Sequence, residues 1–473
     1  MKKKLLMIAL CFCITAAFAQ KKETTVTLDI NPDRPDSIWV GGYGEVFFAK
    51  PGKDNKIVLK LQLDAALSLR VGVDKPEKKS LTMFLEPGDQ LNVATDLAKK
   101  TTFTGKGSGN ANVFFEINQA FMDAYLKIDA RKLTPSELFD KALEMGQQSI
   151  DILEKNKQKV TPSFYQRQSV TLYYNRLSFA FAPGAPIPYL YQAGLGKKAS
   201  ESVPDHYWDI QKYVKLDEKL MGNPEYSSFV KFIYPMFLNY KTKSELGLLD
   251  STLSAEANAK LTLGQVEKIY SGKMRSITLE SIISSLLAKV KDVATVKPII
   301  DNFNANYGSP EDAKSLQETY EKYEKLAAGK TPPAFVLKGQ DGKEVTLKDF
   351  AGKVVYMDFW ASWCSPCRYE MKNGSPKLHA KFKDNKDVVF LYISLDSKVA
   401  DWKKAIADDK IEGLHFLSQA KSGVNSPAAN AFNINGIPHY VIIGKDGKIF
   451  DNDAPRPSED KTPARINEAL SAK

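Results

Sequence analysis

The sequence is poor in cysteine, with four residues in a chain of 473. Cys11 and Cys13 lie near the N-terminus, and the other two, Cys364 and Cys367, lie three residues apart. A small domain that is held together by disulfides needs several cysteine pairs along its length. The scarcity of cysteine therefore excludes a disulfide framework and raises the question of what the single close pair does.

Histidine is equally scarce, and its four residues are scattered singly along the chain. They are His206, His379, His415 and His439. A structural zinc site takes four cysteine or histidine ligands in closely spaced pairs. Because the chain offers no second pair, zinc is a weak alternative for the two cysteines, and we expect no metal and no organic cofactor. An inert disulfide is equally weak, since so short a loop gains little from closure.

Beyond its N-terminus the chain has no apolar run that approaches the ~18 residues of a membrane-spanning helix. Residues 1–19 combine three lysines, a short apolar run and a final Ala-Phe-Ala, which is typical of a secretory signal peptide. We expect cleavage after Ala19. Retention as an anchor and lipidation at Cys11 are alternatives, although the bulky Leu10 disfavours lipidation. The sequence thus predicts an exported protein of the periplasm or cell envelope, with no integral membrane segment after cleavage.

Charge of one sign is not concentrated anywhere in the chain. The net charge is +10, and it falls to +7 without the three lysines of the leader. Lysines alternate with acids, as in KFKDNKD, whereas a nucleic-acid-binding protein presents a basic stripe. We therefore expect no nucleic-acid partner. The apolar content of 43% is ample for buried cores.

The pattern of apolar residues changes along the chain and predicts several domains. Residues 20–105 alternate apolar and polar residues between Gly and Pro turns, which predicts an N-terminal antiparallel β domain. Residues 106–326 repeat apolar positions every three or four residues, which predicts a central all-α domain. Residues 327–334, AAGKTPPA, have the composition of a linker, and residues 335–473 mix both patterns.

The mixed pattern of the last segment predicts an α/β domain. Asp341-Gly342 and Asp446-Gly447 each separate two apolar runs, which predicts β-hairpins. The runs KVVYMDFW and DVVFLYISLD are apolar enough to be buried central strands. Helical patterns lie over roughly 365–383, 398–409 and 425–433. This strand–helix–strand order predicts a parallel core.

The close cysteine pair, in FWASWCSPCRYEM, follows a predicted strand and opens a predicted helix. A thiol attacks a disulfide as its thiolate, and the free N–H groups and dipole at a helix start stabilise that anion. Cys364 at the helix start is therefore the predicted nucleophile, and Cys367, one turn inside, is the predicted resolving thiol. Pro366 between them is tolerated in a first turn. The pattern predicts redox chemistry.

The stretch DFWASWCSPCRYEM resembles the active site of thioredoxins. More narrowly, three separated pieces within residues 329–473 resemble the TlpA/ResA-type exported thioredoxins. They are GKTPPAFVLKGQDGKEVTLKDFAGKVVYMDFWASWCSPC, VVFLYISLD and NINGIPHYVIIGKDGKIF. The resemblance implies a C-terminal thioredoxin fold and a thiol-disulfide oxidoreductase that acts on protein disulfides through its dithiol alone. Membrane dithiol donors, cell redox homeostasis and cytochrome c biogenesis are common settings of that family.

The resemblance assigns roles to two acidic residues. Asp358 stands six residues before Cys364, where the family often has a buried Asp or Asn below the inner cysteine. A buried carboxyl has a raised pKa and can exchange a proton with Cys367. Glu370 lies one turn beyond Cys367, where ResA-like proteins carry a glutamate that tunes the thiols or contacts substrate. An ordinary strand-end aspartate and an exposed helix residue are the alternatives.

The resemblance also predicts a substrate-binding edge. Its residues are Trp360, Trp363, Pro366, Ile437 and Pro438, and a core position for one of the two tryptophans is the alternative. Pro438 is expected to be a cis-proline that frees neighbouring backbone groups to pair with an extended peptide. Ile437 stands where Thr or Val is more familiar, and that position influences redox preference, so the direction of electron flow stays open. His439 influences substrate preference or is a plain surface residue.

Residues 20–326 show no second catalytic constellation. They vaguely resemble the N-terminal extensions of uncharacterised function that precede exported TlpA-like modules, which implies no activity. We expect an exported thiol-disulfide oxidoreductase, most plausibly a reductase. An oxidant or isomerase is an alternative within the same class, and an envelope scaffolding protein whose front domains dock a partner is the alternative outside it.

Overall fold

The computed structural model describes residues 21–472 apart from 33, 43–45, 74–78, 130–131, 182–197, 205 and 422. The predicted signal peptide, residues 1–19, lies outside the described residues. The chain forms two compact units, which are divided after Phe179. Each unit is described by itself below.

The first unit begins with two four-stranded sheets, in which apolar side chains at alternate positions face a shared core. The strands are β1 (Lys22–Ile30), β2 (Ile38–Gly41), β3 (Phe47–Ala49), β4 (Ile57–Leu63), β5 (Leu67–Val73), β6 (Lys79–Leu85), β7 (Gln90–Thr95) and β8 (Thr101–Lys106). The sheet orders are β4-β1-β7-β8 and β3-β2-β5-β6. All pairs are antiparallel except β1 with β7, which is parallel. The predicted alternation is plain in β4, where every second side chain is buried.

Three helices complete the first unit. They are α1 (Ser108–Tyr125), α2 (Pro135–Lys155) and α3 (Pro162–Phe181), whose last residues lie beyond the unit's boundary. Thr134 caps α2 through a capping box with Glu137, as its spacing suggests. Phe84 from β6 packs edge-on against Phe164 of α3, with ring centroids 4.9 Å apart. This contact joins the β part and the helices into one core.

The second unit begins with a helical segment and ends with an α/β domain. The helices of its first part are α4 (Pro224–Ser228), α5 (Tyr234–Glu245), α6 (Ala255–Ile269), α7 (Gly272–Leu287), α8 (Lys297–Asn306) and α9 (Pro310–Lys325). A short π-helical turn, Phe229–Ile233, joins α4 to α5. Ser309 and Asp312 form a capping box at the start of α9. Helical pattern and caps therefore predicted this region well.

The α/β domain is a seven-stranded sheet flanked by helices. Its strands are β9 (Leu337–Gly339), β10 (Glu344–Val345), β11 (Val354–Trp360), β12 (Val388–Ser394), β13 (Leu414–Leu417), β14 (His439–Ile443) and β15 (Ile449–Asp451). Its helices are α10 (Ser365–Asn373), α11 (Ser375–Phe382), α12 (Val399–Asp409), α13 (Pro427–Ala431) and α14 (Lys461–Ser471). The strand order is β10-β9-β13-β12-β11-β14-β15, and β11–β12–β13 are parallel. Both predicted hairpins, β9–β10 and β14–β15, are present.

The helical segment is joined tightly to the α/β domain. Leu326, just after α9, is buried in the core beneath the sheet. The following turn pairs with β15, since Gly329 N–H donates to Ile449 O at 2.7 Å and Ile449 N–H donates to Lys330 O at 2.9 Å. The stretch whose composition predicts a linker is therefore hydrogen-bonded along the sheet edge.

The expected fold class is confirmed: a β-sheet region, a helical middle and a C-terminal α/β domain with the thioredoxin arrangement of strands and helices. The residue boundaries assigned to the separate domains remain predictions.

Candidate active site

The site lies where β11 ends and α10 begins. All seven residues of β11 are buried, because neighbouring strands flank it and helices cover both faces of the sheet. The loop that follows is held by Asp396, which lies just beyond the end of β12. Its Oδ2 accepts the Ser362 backbone N–H at 3.0 Å and its Oδ1 accepts the Ser362 hydroxyl at 2.6 Å. These bonds fix the backbone two residues before Cys364.

The two cysteines form a disulfide, with their Cα atoms 5.3 Å apart. Cys364 is the N-cap of α10, and its Sγ accepts the Cys367 backbone N–H at 3.2 Å. Cys367 is completely buried, whereas Cys364 retains 5% exposure. A negative charge that developed on the Cys364 sulfur would therefore meet free N–H groups of the first helical turn. This is the geometry that the sequence predicts for the nucleophile.

A buried ion pair anchors α10 to α12. Arg368, next to Cys367, donates from Nε and Nη2 to the two carboxylate oxygens of Asp409, at 2.5 and 2.7 Å. Lys372 adds a contact of 2.9 Å. The Arg368 guanidinium, together with Lys372, lowers the pKa of Asp409 to about 2. The helix that carries both cysteines is thus held by a bidentate charge-assisted contact.

Asp358 lies in the middle of the sheet and is 1% exposed. Neither of its carboxyl oxygens has a hydrogen-bond partner among the described residues. Burial raises the pKa of Asp358 well above its ordinary value, and the nearby Glu370 carboxylate adds to the rise. Tyr392 and Tyr440 flank it on the neighbouring strands. The raised pKa favours the protonated form of Asp358 when the cysteines are oxidised.

Glu370 is also buried, with 4% exposure, but it is fully hydrogen-bonded. Its Oε2 accepts the Ser458 backbone N–H at 3.0 Å, and its Oε1 accepts the Ser458 hydroxyl at 2.9 Å. Gly374 makes this approach possible, because a Cβ there would lie 2.7 Å from both Glu370 Oε2 and Ser458 N. Gly374 has αR dihedrals and joins α10 to α11.

The peptide bond between Ile437 and Pro438 is cis. Ile437 packs against the apolar cluster that contains both cysteines, so the loop before β14 lies beside the disulfide. Pro366 is exposed in the first turn of α10, and Trp363 is 55% exposed. Trp360, which was expected beside it in the substrate-binding edge, is instead completely buried, because the strand that ends there has no solvent-facing side.

Comparisons with known proteins address this C-terminal region. A family model described as Redoxin matches residues 327–470. The thiol-disulfide oxidoreductase ResA of Bacillus cereus is 32% identical over 134 residues, which are 28% of this chain and 73% of that protein. The chain belongs to the ResA-type thiol-disulfide oxidoreductase family. The thioredoxin-like protein YneN of Bacillus subtilis is a further ResA-like relative, 33% identical over 138 residues that cover 29% of this chain and 78% of YneN.

Solved structures also match the ResA-type region. One is the thioredoxin domain of a thiol-disulfide oxidoreductase from Bacteroides vulgatus, with 31% identity and a TM-score of 0.27. The match covers 31% of this chain and 99% of that one. The Redoxin match and the ResA relatives show thioredoxin-like oxidoreductase activity for the C-terminal region, while residues before 327 lie outside the Redoxin match.

Sequence reasoning about the ResA-type site missed its supports. Asp396, Asp409 and Ser458 each contact the active-site loop or α10 from a distant part of the chain. A signal existed for Asp396, because it directly follows a buried parallel strand, and the carboxyl ends of such strands are where α/β proteins form their sites. No comparable signal marks the other two.

Two further observations limit the chemistry of the described region. Within it, no group of three or more His, Cys, Asp or Glu residues is placed to hold a metal ion. The helices described also include none that is both long and apolar enough to cross a bilayer.

Proposed function

We propose that this protein is an exported reductase of protein disulfides that works through the Cys364-Ser-Pro-Cys367 dithiol. The observation that carries the proposal is the disulfide at the N-terminus of α10, with Cys364 as the helix cap. That position favours the thiolate of Cys364 over that of Cys367, which lies one turn deeper and fully buried.

The reaction proceeds in two exchanges. The Cys364 thiolate attacks one sulfur of the substrate disulfide, which forms a mixed disulfide and releases the other substrate sulfur as a thiolate. The Cys367 thiol then loses its proton and attacks Cys364 Sγ. The second substrate thiol leaves, and the Cys364–Cys367 disulfide forms. The substrate gains two electrons and the dithiol loses them.

Asp358 is the proposed acceptor of the Cys367 proton. It is buried in β11, the strand that leads to the cysteine pair, has no hydrogen-bond partner among the described residues and has a pKa raised well above its ordinary value. After the resolving step, Asp358 would carry the proton that it took from Cys367. The carboxylate of Glu370, hydrogen-bonded to Ser458, raises the proton affinity of Asp358 further, so Glu370 acts as a positioning and electrostatic residue.

The substrate-binding edge consists of Trp363, Pro366, Ile437 and Pro438. Trp363 and Pro366 are exposed beside Cys364, and Ile437, before Pro438, packs against the cluster that holds both cysteines. An extended segment of the substrate pairs with that backbone by strand addition. Trp360 supports the edge from below rather than contacting substrate.

The cellular setting rests on the N-terminal sequence and the family. The signal-like residues 1–19 favour export to the periplasm or cell envelope. A membrane dithiol donor would then return electrons to the disulfide, and cytochrome c biogenesis is one process that consumes such reducing equivalents. No organic or metal cofactor takes part.

Trapping tests the proposal directly. A Cys367→Ser variant of the full chain, expressed with its leader, should retain substrates as mixed disulfides on Cys364, which mass spectrometry of cell envelopes would identify. The matched Cys364→Ser variant should trap none. Recovery of no adduct, or of equal adducts from both variants, would refute the assignment.

A double Cys364→Ser and Cys367→Ser variant separates this proposal from a scaffolding role. If the protein acts by thiol exchange, the variant should behave like a deletion. If it only docks a partner, the variant should complement fully.

A further inference from the structure

A cleft of about 300 Å³ opens beside the loop that leads to the cis-proline. One wall is formed by that loop, residues 432–436, and by residues 450–453 at the end of β15. The opposite wall comes from residues 287–293 and 323–328 of the helical segment. Because the family match begins at residue 327, almost all of this second wall lies outside the ResA-type region.

The helical wall is fixed to the sheet by specific contacts. Lys291 Nζ lies 2.9 Å from Asp451 Oδ2, and the same oxygen accepts Arg465 Nε at 2.6 Å. Tyr323 on this wall lies close to Asn433 in the loop itself. The cleft is therefore a built feature of the second unit, and three of its charged groups, Asp451, Lys291 and Arg465, are already paired.

One polar group of the cleft is left without a partner. Asn452 Oδ1 is buried and accepts no hydrogen bond from any described residue. The backbone oxygen of the same residue accepts from His439 Nε2 at 2.8 Å, so Asn452 is held next to the cis-proline loop. A buried acceptor without a donor is unfavourable, and a ligand N–H would remove the penalty. The missing partner is thus a hydrogen-bond donor that enters the cleft.

The cleft adjoins the redox site along the cis-proline loop. Gly436 lines the cleft, and the next residue, Ile437, packs against the cluster that holds Cys364 and Cys367. An extended chain that paired with the backbone of this loop from Ile437 back to Gly436 would reach the cleft. A small disulfide compound could reach Cys364 without entering the cleft.

We infer that this cleft is a subsite for the polypeptide chain that flanks the disulfide under attack, with the helical segment as its outer wall. The inference rests on the proposed function and adds to it a preference for polypeptide substrates. The occupant is an extended peptide, because a backbone N–H satisfies Asn452 Oδ1 and because strand addition at the cis-proline loop delivers a peptide in that conformation. Residues outside the redoxin region thereby select polypeptides over small disulfides.

Filling the cleft tests the inference. Ala288 and Ala328 line it and are exposed, so Ala288→Phe and Ala328→Phe narrow the cleft without disturbing a core. Ala305→Phe, on an exposed position of α8 away from the cleft, is the matched control. With dithiothreitol as the electron donor, steady-state reduction of insulin is measured for each full-length protein, and each pre-reduced protein is mixed with the small disulfide DTNB in a single turnover. We expect the KM for insulin to rise fivefold or more in both cleft variants, with kcat and the DTNB rate unchanged.

Asn452→Leu provides a second and independent variant, since it removes the acceptor and keeps the approximate volume. It should raise the KM for insulin about fivefold, which is the effect of losing one hydrogen bond, and leave DTNB reduction unchanged. An unchanged KM for insulin in all three variants would overturn the inference. So would a parallel loss of insulin and DTNB reduction, or an equal effect of Ala305→Phe. Failure of the unaltered protein to reduce DTNB would instead refute the proposed function itself.

Discussion

Replacing Asp358 with asparagine should stabilise the oxidised protein at neutral pH. The carboxyl group is 1% exposed and lacks any partner in the described part of the chain, so its charged form is strongly disfavoured in the folded state. Its pKa is raised well above the ordinary value, whereas in the unfolded chain the group ionises near 4. Folding at pH 7 must therefore take up a proton.

The sign and size of the effect follow from this difference. Because the folded state binds the extra proton, the free energy of unfolding falls as pH rises from the unfolded pKa toward the folded one. Each unit by which the folded pKa exceeds the unfolded one costs up to about 1.4 kcal/mol of stability. Asparagine titrates in neither state and has nearly the same shape. The stabilisation by Asp358→Asn should thus be near zero at pH 4 and grow as the pH rises toward the folded pKa.

Calorimetric melting of the two full-length oxidised proteins at several pH values between 4 and 8 measures this difference. Asp396→Asn is the matched control, since Asp396 is equally buried but accepts hydrogen bonds from Ser362 and Ser394. That variant should be destabilised at pH 7. If Asp358→Asn were less stable than the unaltered protein, or if its effect were the same at pH 4 and pH 7, Asp358 would be ionised and the reasoning would be wrong.

Four further substitutions test the site and its supports. Gly374→Ala should destabilise the protein by roughly 1–3 kcal/mol in thermal melts. The backbone at this position suits alanine, but the added Cβ would lie 2.7 Å from Glu370 Oε2. An unchanged melting temperature would contradict this close contact. Asp409→Asn should lower the free energy of unfolding by about 1–2 kcal/mol at pH 7. The difference between the variant and the unaltered protein should vanish as the pH falls from about 4 to about 2, because the Asp409 carboxylate then takes up a proton. A pH-independent difference would argue against the ion pair. Trp360→Ala should cost about 3–5 kcal/mol because the ring is fully buried. Trp363→Ala should change the free energy of unfolding by no more than about 0.5 kcal/mol and lower kcat/KM for insulin about fivefold. If Trp363→Ala were the destabilising change and Trp360→Ala the one that lowered kcat/KM, the core and substrate-binding roles of the two tryptophans would be exchanged.

The sequence alone predicted the parts of the site that are local in the chain. The cysteine spacing, the buried strand before it and the helix after it are set by residues within about 20 positions, and all appear as expected. The two Asp-Gly turns likewise specified their hairpins. The cis bond before Pro438 came from the family resemblance and is present in the structure.

Prediction failed where a property depends on tertiary neighbours. The apolar run of β11 predicted a buried strand but not how far along the chain the burial extends, so Trp360 was expected at the rim and is buried. Asp409 meets Arg368 only because α12 packs beside α10, 41 residues along the chain. The cleft beside the cis-proline loop depends on helices that the redoxin region does not contain. Such contacts follow from the order of elements in space, which no local pattern encodes.

The central claim is that Cys364 is held as a reactive anion at the start of α10. The most direct measurement is the rate of alkylation of Cys364 in the reduced Cys367→Ser protein as a function of pH. The account predicts a single titration with a midpoint well below the pKa of about 8.5 of free cysteine. A midpoint at or above that value would contradict it.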